Sequence, residues 1–113
     1  MSNKDSRRHR RIPYIGPIQI SWEASGQTRF AQGKCIDISE SGLRIEVPAP
    51  VPPRANLSVR AERIKLSGSA TVKHVARYGS KYILGIEMSQ RLGDKTLSAI
   101  REPWALRTPA NVA

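Results

Sequence analysis

Apolar and polar residues alternate with period two over several stretches of this chain, which is the pattern of half-buried β-strands. Ile18-Gln19-Ile20-Ser21-Trp22 predicts a first strand, and Pro13 and Pro17 keep the chain ahead of it extended. Residues 23–27, with Ser25 and Gly26, read as a hairpin connection into a second strand over 28–38. Leu43-Arg44-Ile45-Glu46-Val47 predicts a third strand, stopped by Pro48-Ala49-Pro50-Val51-Pro52-Pro53. Four prolines in six residues leave a ladder without donors, so this segment is a stiff surface loop. Leu57 and Val59 point one way and Ser58 and Arg60 the other, giving a short fourth strand. A fifth spans 68–77, and Gly79-Ser80-Lys81 turns into a sixth over 82–88, where Tyr82, Leu84, Ile86 and Met88 share a face.

Short strands at this spacing, joined by turn chemistry and not by long helices, predict a mainly β fold: a six-stranded antiparallel β-barrel, closed or nearly so. Closure would protect the sheet edges. Leu92, Thr96, Leu97 and Ile100 recur at helical spacing ahead of Pro103, which predicts one C-terminal α-helix, packed across a barrel opening. No internal repeat is present, and residues 108–113 are small, polar and expected to fray.

Length and charge narrow the picture. A chain of 113 residues fits one domain and is too small for a two-domain enzyme. Nineteen Lys and Arg against nine acidic residues give a formal charge of +10, so anionic partners are favoured: nucleotides, nucleic acid or membrane phosphates. In residues 1–11, Lys4, Arg7, Arg8, Arg10 and Arg11 are opposed only by Asp5, and there is no apolar surface to offset ordering. The expected layout is a flexible basic arm over 1–11, a barrel with its helix over 12–106 and a disordered tail over 107–113. Cys35 is the single cysteine, which rules out an intrachain disulfide and a CxxC metal site and suits a reducing cytoplasm. With no long apolar run and no secretory signal, the expectation is a soluble cytoplasmic protein that does not insert into membranes.

The densest chemistry lies where the second strand meets the third. Asp37-x-Ser39-x-x-Gly42 brings a carboxylate, a hydroxyl and a glycine together; Asp and Ser can bond nearby backbone N–H groups, and Gly can take positive φ or admit a close approach. On local chemistry alone this is a well-made turn. His9 and His74 lack ligand-type neighbours at metal spacing, and no carboxylate pair, Ser/His/Asp set or phosphate-cradling loop suggests catalysis, so no enzyme is expected. Trp22 and Trp104 read first as packing residues and second as stacking platforms, His74 as a strand residue near the barrel surface, and Cys35 as a small buried hydrophobe.

The arm holds Arg-x-x-x-Arg at Arg7 and Arg11, inside Arg7-Arg8-His9-Arg10-Arg11, and the turn holds Asp-x-Ser-x-x-Gly at Asp37, Ser39 and Gly42. With the barrel pattern and the strand Tyr82-Ile83-Leu84-Gly85-Ile86-Glu87-Met88, the chain resembles the PilZ family of bacterial cyclic di-GMP receptor domains. The resemblance implies a cyclic di-GMP ligand, one molecule or a stacked pair, with no cofactor. It implies that Arg7 and Arg11 are the main ligand arginines and that Asp37, Ser39 and Gly42 form the barrel side of the pocket. Arg8 and Arg10 would add phosphate contacts. Arg44 and Arg77 project from strands and either extend the positive face around the pocket or are simply solvated. Arginine suits these roles because its planar fork pairs with guanine O6 and N7, bonds phosphate and stacks on bases. Asp37 would accept from the guanine N1–H and 2-amino group, which adenine cannot match.

The arm stands at the start of the chain, so the expected output passes to an unidentified partner protein or a second copy. Met88 departs from the family's more frequent aromatic and is read as a core substitution. Two other readings compete: a sequence-tolerant nucleic-acid-binding barrel, disfavoured by the few aromatics, and a PilZ-like adaptor that binds protein only.

Overall fold

The strands follow one another almost without interruption: β1 (Ile12–Ala24), β2 (Gln27–Ile38), β3 (Gly42–Val47), β4 (Asn56–Ala61), β5 (Leu66–Tyr78) and β6 (Lys81–Met88). The computed structural model describes residues 11–93 and 95–96. Every neighbouring pair is antiparallel, and the order β1-β2-β3-β6-β5-β4 closes into a barrel. Inward positions carry Ile18, Ile20, Cys35, Ile45, Leu57 and Leu84, all essentially without exposure. The alternation written in the sequence is therefore the wall of one core.

The turns follow local chemistry. Ser25 and Gly26 both take positive φ (53° and 77°), the pairing a tight two-residue hairpin requires between Ala24 and Gln27. Gly79 at φ 65° opens the β5–β6 turn, with Tyr78 opposite Lys81. A 3-10 helix at Glu62–Ile64, absent from the sequence expectation, links β4 to β5 and drops Ile64 into the core.

One expectation needs correction, and a second falls largely outside the described residues. β1 starts at Ile12, well ahead of Ile18, and runs through both Pro13 and Pro17. The prolines are tolerated because β1 pairs with β4 only at Gln19, Ile20 and Ser21; its first half has a strand neighbour on one side alone. No C-terminal helix is shown by the described residues: only Lys95 and Thr96 have helical backbone, and residues 97–100 of the expected span lie outside them. Leu92, expected to begin that helix, instead donates its N–H to the Glu40 carbonyl at 3.1 Å and sits buried against the core. Thr96 is buried as well, its hydroxyl donating to the Lys65 carbonyl at 3.2 Å. Residues 1–10, which hold nearly all of the expected arm, and the tail 107–113 lie outside the described residues.

Candidate ligand-binding site

Strict alternation would turn Asp37 into the barrel. Cys35 faces the core opposite Ile45, so two residues later the chain should face inward again. A β-bulge prevents this: between Cys35 and Asp37 the β2 register gains one residue over β3, so Asp37 lies opposite Arg44 and Ile38 opposite Leu43. Cys35 and Ile38 both remain in the core, and Asp37 is delivered to the outer surface beside Arg44. The Cys35 thiol braces the bulge by donating to the Asp37 carbonyl at 3.7 Å.

Two arginines close on the carboxylate. Arg11 Nη1 donates to Asp37 Oδ1 at 2.7 Å, across 26 residues of chain. Arg44 donates to Oδ2 from Nε at 3.0 Å and from Nη2 at 2.6 Å. Asp37 is 7% exposed because these side chains cover it, while Arg11 and Arg44 keep roughly half of their own surface in solvent (45% and 49%). A charge-assisted cluster of this kind fixes the carboxylate's direction and leaves guanidinium edges facing outward.

The neighbouring turn is held by its own motif. The Ser39 N–H donates to the Gly42 carbonyl at 2.8 Å, and the Ser39 hydroxyl reaches the same oxygen at 3.4 Å. Ser39 thus clasps the turn through both its N–H and its hydroxyl. Gly42 is needed for clearance: a Cβ there would stand 2.3 Å from the Ile86 carbonyl oxygen. From the other side, Met88 N–H bonds the Ser41 carbonyl at 2.8 Å and Arg91 pairs with Glu40 at 2.8 Å.

A band that periodicity did not reveal extends the site. Pro13 pairs with Asp37, Asp37 with Arg44, Arg44 with Gly85 and Gly85 with His74, one continuous row across β1, β2, β3, β6 and β5. Three register shifts meet along this row, between Pro13 and Gly16, Cys35 and Asp37, and Val72 and His74. Gly85 leaves a gap in it, with the exposed His74 ring 3.4 Å from where a Cβ would stand. The result is a position without a side chain between the Arg44 and His74 places of the row.

The sequence model of the PilZ domain matches residues 5–102. The chain belongs to the PilZ domain family. PilZ domains are cyclic di-GMP-binding receptor domains and are not a known enzyme family. A comparison with curated proteins found no match.

In this PilZ barrel Arg11, Asp37 and Arg44 are brought into direct contact, with Ser39 and Gly42 in the adjoining turn. Arg7, Arg8 and Arg10 lie outside the described residues, as do His9 and Trp104. Trp22 is buried, in keeping with packing, and His74 is exposed on β5. Among the described residues no group of three or more His, Cys, Asp or Glu is placed to hold a metal ion, and no helix is long and apolar enough to cross a membrane.

Proposed function

We propose that this PilZ domain is a cyclic di-GMP receptor that reads one guanine with the band Asp37–Arg44–Gly85–His74 and closes over the ligand with arginines of the segment 1–11. The observation that carries the reading is the outward Asp37 carboxylate between Arg11 and Arg44. A carboxylate has about four acceptor positions and three are taken here, two of them on Oδ2. A guanine edge donating from N1–H and the 2-amino group takes both oxygens, so at least one arginine bond must yield. The released guanidinium is already within reach of the base's O6 and N7 or of a phosphate. Binding is then an exchange of partners on Asp37, and the ligand's two negative charges offset the separation of the ion pair.

In this scheme residues 1–11 are the ligand-binding arm, with Arg7 and Arg11 as its principal contacts and Arg8 and Arg10 on phosphate. Residues 12–106 form the barrel and the segment after it, and residues 107–113 form a tail. Ser39 and Gly42 keep the wall of the pocket in shape, and Arg44 faces the base. A stacked pair of ligand molecules would place two further charges against the extra arginines. The ordered arm then alters the surface offered to a downstream protein, in the cytoplasm where such dinucleotides act.

Calorimetry with cyclic di-GMP tests this. Saturable binding is expected, weakened by Arg7→Ala, Arg11→Ala or Asp37→Ala far more than by Arg63→Ala, an exposed residue of the 3-10 helix. Equal binding of cyclic di-AMP, or single-stranded RNA binding untouched by Asp37→Ala, would sink the proposal.

A further inference from the structure

β5 is longer than the strand it pairs with. Its ladder with β4 begins at Leu66 opposite Ala61 and ends at Thr71 opposite Asn56. One further pair of bonds follows, Arg54 N–H to the Val72 carbonyl and Val72 N–H to the Ala55 carbonyl, both at 2.9 Å. There the neighbouring chain departs. Pro52 and Pro53 carry no N–H, Arg54 takes φ 68°, and Ala55 N–H turns back to the Pro52 carbonyl at 3.2 Å. β5 nevertheless runs on over residues 73–78, bonded to β6 on one side only.

Every residue of 73–78 is exposed, and among the described residues none pairs with its second edge. A six-residue edge spans roughly 20 Å and presents a row of unpaired backbone donors and acceptors, the template for strand addition. Its side chains define what could be added. Lys73, His74 and Arg77 lie on the strand and Lys81 faces Tyr78 across the turn. Lys73 is matched by Glu87 at 3.4 Å, whereas Arg77 has only the Gly79 carbonyl at 3.3 Å and no acidic partner among the described residues. Val75 and Tyr78 add apolar surface, 36% and 71% exposed.

We propose that the free edge of β5 over 73–78 docks an extended acidic segment of a partner protein, which adds to the barrel as an antiparallel or parallel strand. Charge selects this occupant. Two copies of this chain meeting edge to edge would bring together bodies each carrying +10 with no carboxylate on either edge to meet Arg77, whereas carboxylates at alternate positions of an added strand would answer it. The proposal does not depend on the dinucleotide reading, because the edge exists whether or not Asp37 is engaged by ligand.

A blocked heptapeptide alternating glutamate with valine, titrated into ¹⁵N-labelled protein, tests it. Shifts and slowed amide exchange should concentrate in residues 73–78. The same peptide with lysine for glutamate, or with proline at alternate positions, should bind at least about ten-fold more weakly, the equivalent of one lost charge pair or of the broken ladder. Arg77→Glu should weaken the acidic peptide and strengthen the lysine peptide. Equal binding of the proline peptide, or shifts spread over the whole basic surface, would show plain charge attraction and overturn strand addition. Concentration-dependent dimerisation through the same amides would assign the edge to a second copy and overturn the acidic partner.

Discussion

Asp37 illustrates how much one side chain's direction decides. Had β2 kept its alternation, the carboxylate would point into a core of Ile18, Ile45 and Leu84, where an unpaired charge is heavily penalised. The bulge puts it outside, where the carboxylate is covered by two arginines that themselves remain about half solvated. Asp37→Asn should therefore lower unfolding free energy by about 1–3 kcal/mol in urea titrations. The same substitution should weaken cyclic di-GMP binding at least about ten-fold by calorimetry.

Cys35, two residues away, behaves in the opposite manner. Burial pushes its thiol up from 9.0 to about 12, with the Asp37 charge adding to the effect and the Ile36 backbone opposing it. Above pH 9.0 the unfolded chain gives up the thiol proton while the folded chain keeps it, so unfolding releases a proton. This contribution to stability is complete below pH 9.0 and is lost as pH rises toward about 12, at roughly 1.4 kcal/mol per unit. Comparing the pH slopes of wild type and Cys35→Ala in urea unfolding isolates it, and the native thiol should resist Ellman's reagent at pH 8.

At the scale of the strand, the sequence announces most of what is built. Period-two alternation locates β3, β4 and β6 within a residue or two, and Ser25-Gly26 and Gly79 mark the β1–β2 and β5–β6 hairpins. It fails where the backbone departs from regularity. Cys35 and Ile38, both buried, stand three residues apart, which is the one trace a bulge leaves in the sequence; the shifts in β1 and β5 leave none as clear. The arginine and turn motifs were legible, but the row joining Asp37 to Gly85 and His74 needs register, a property of strand pairs that no single segment encodes.

Two glycines on this row and its turn separate structure from recognition. Gly42→Ala sets a methyl 2.3 Å from the Ile86 carbonyl oxygen, so β3 and β6 must part, with an expected loss of about 1–3 kcal/mol in thermal or urea unfolding. Gly85→Ala places its Cβ in ordinary contact only, 3.4 Å from His74 Cδ2. That variant should melt within a few degrees of wild type, by calorimetric scan, yet bind cyclic di-GMP more weakly because a methyl stands where the proposed base would lie.

For the molecule as a whole, closure is uneven. β1 and β2 pair from Ile12 opposite Ile38 to Ala24 opposite Gln27, whereas β1 and β4 meet only at Gln19, Ile20 and Ser21. That seam is the natural place for local opening, and amides of 58–60 should exchange with deuterium sooner than those of the β3–β6 ladder, which runs from Gly42 to Val47. A charge of +10 acts on every anionic encounter, so cyclic di-GMP affinity should fall as salt is raised from 0.05 to 0.5 M.

The pairing of Ile12 with Ile38 has a further consequence. It fixes Ile12 beside the mouth of the motif turn, so the covalent distance from Arg11 alone bounds how far Arg7 can lie from Asp37. Arg7 stands four residues before Arg11, and consecutive Cα atoms are 3.8 Å apart, which keeps its backbone within about 15 Å of Arg11 in any conformation. On the proposed reading, the Arg7 guanidinium would meet a bound dinucleotide at an effective concentration in the millimolar range, set by that chain length and independent of how dilute the protein is. Lengthening the chain with glycine and serine between Arg7 and Arg11 would dilute the second arginine without touching a single contact in the barrel.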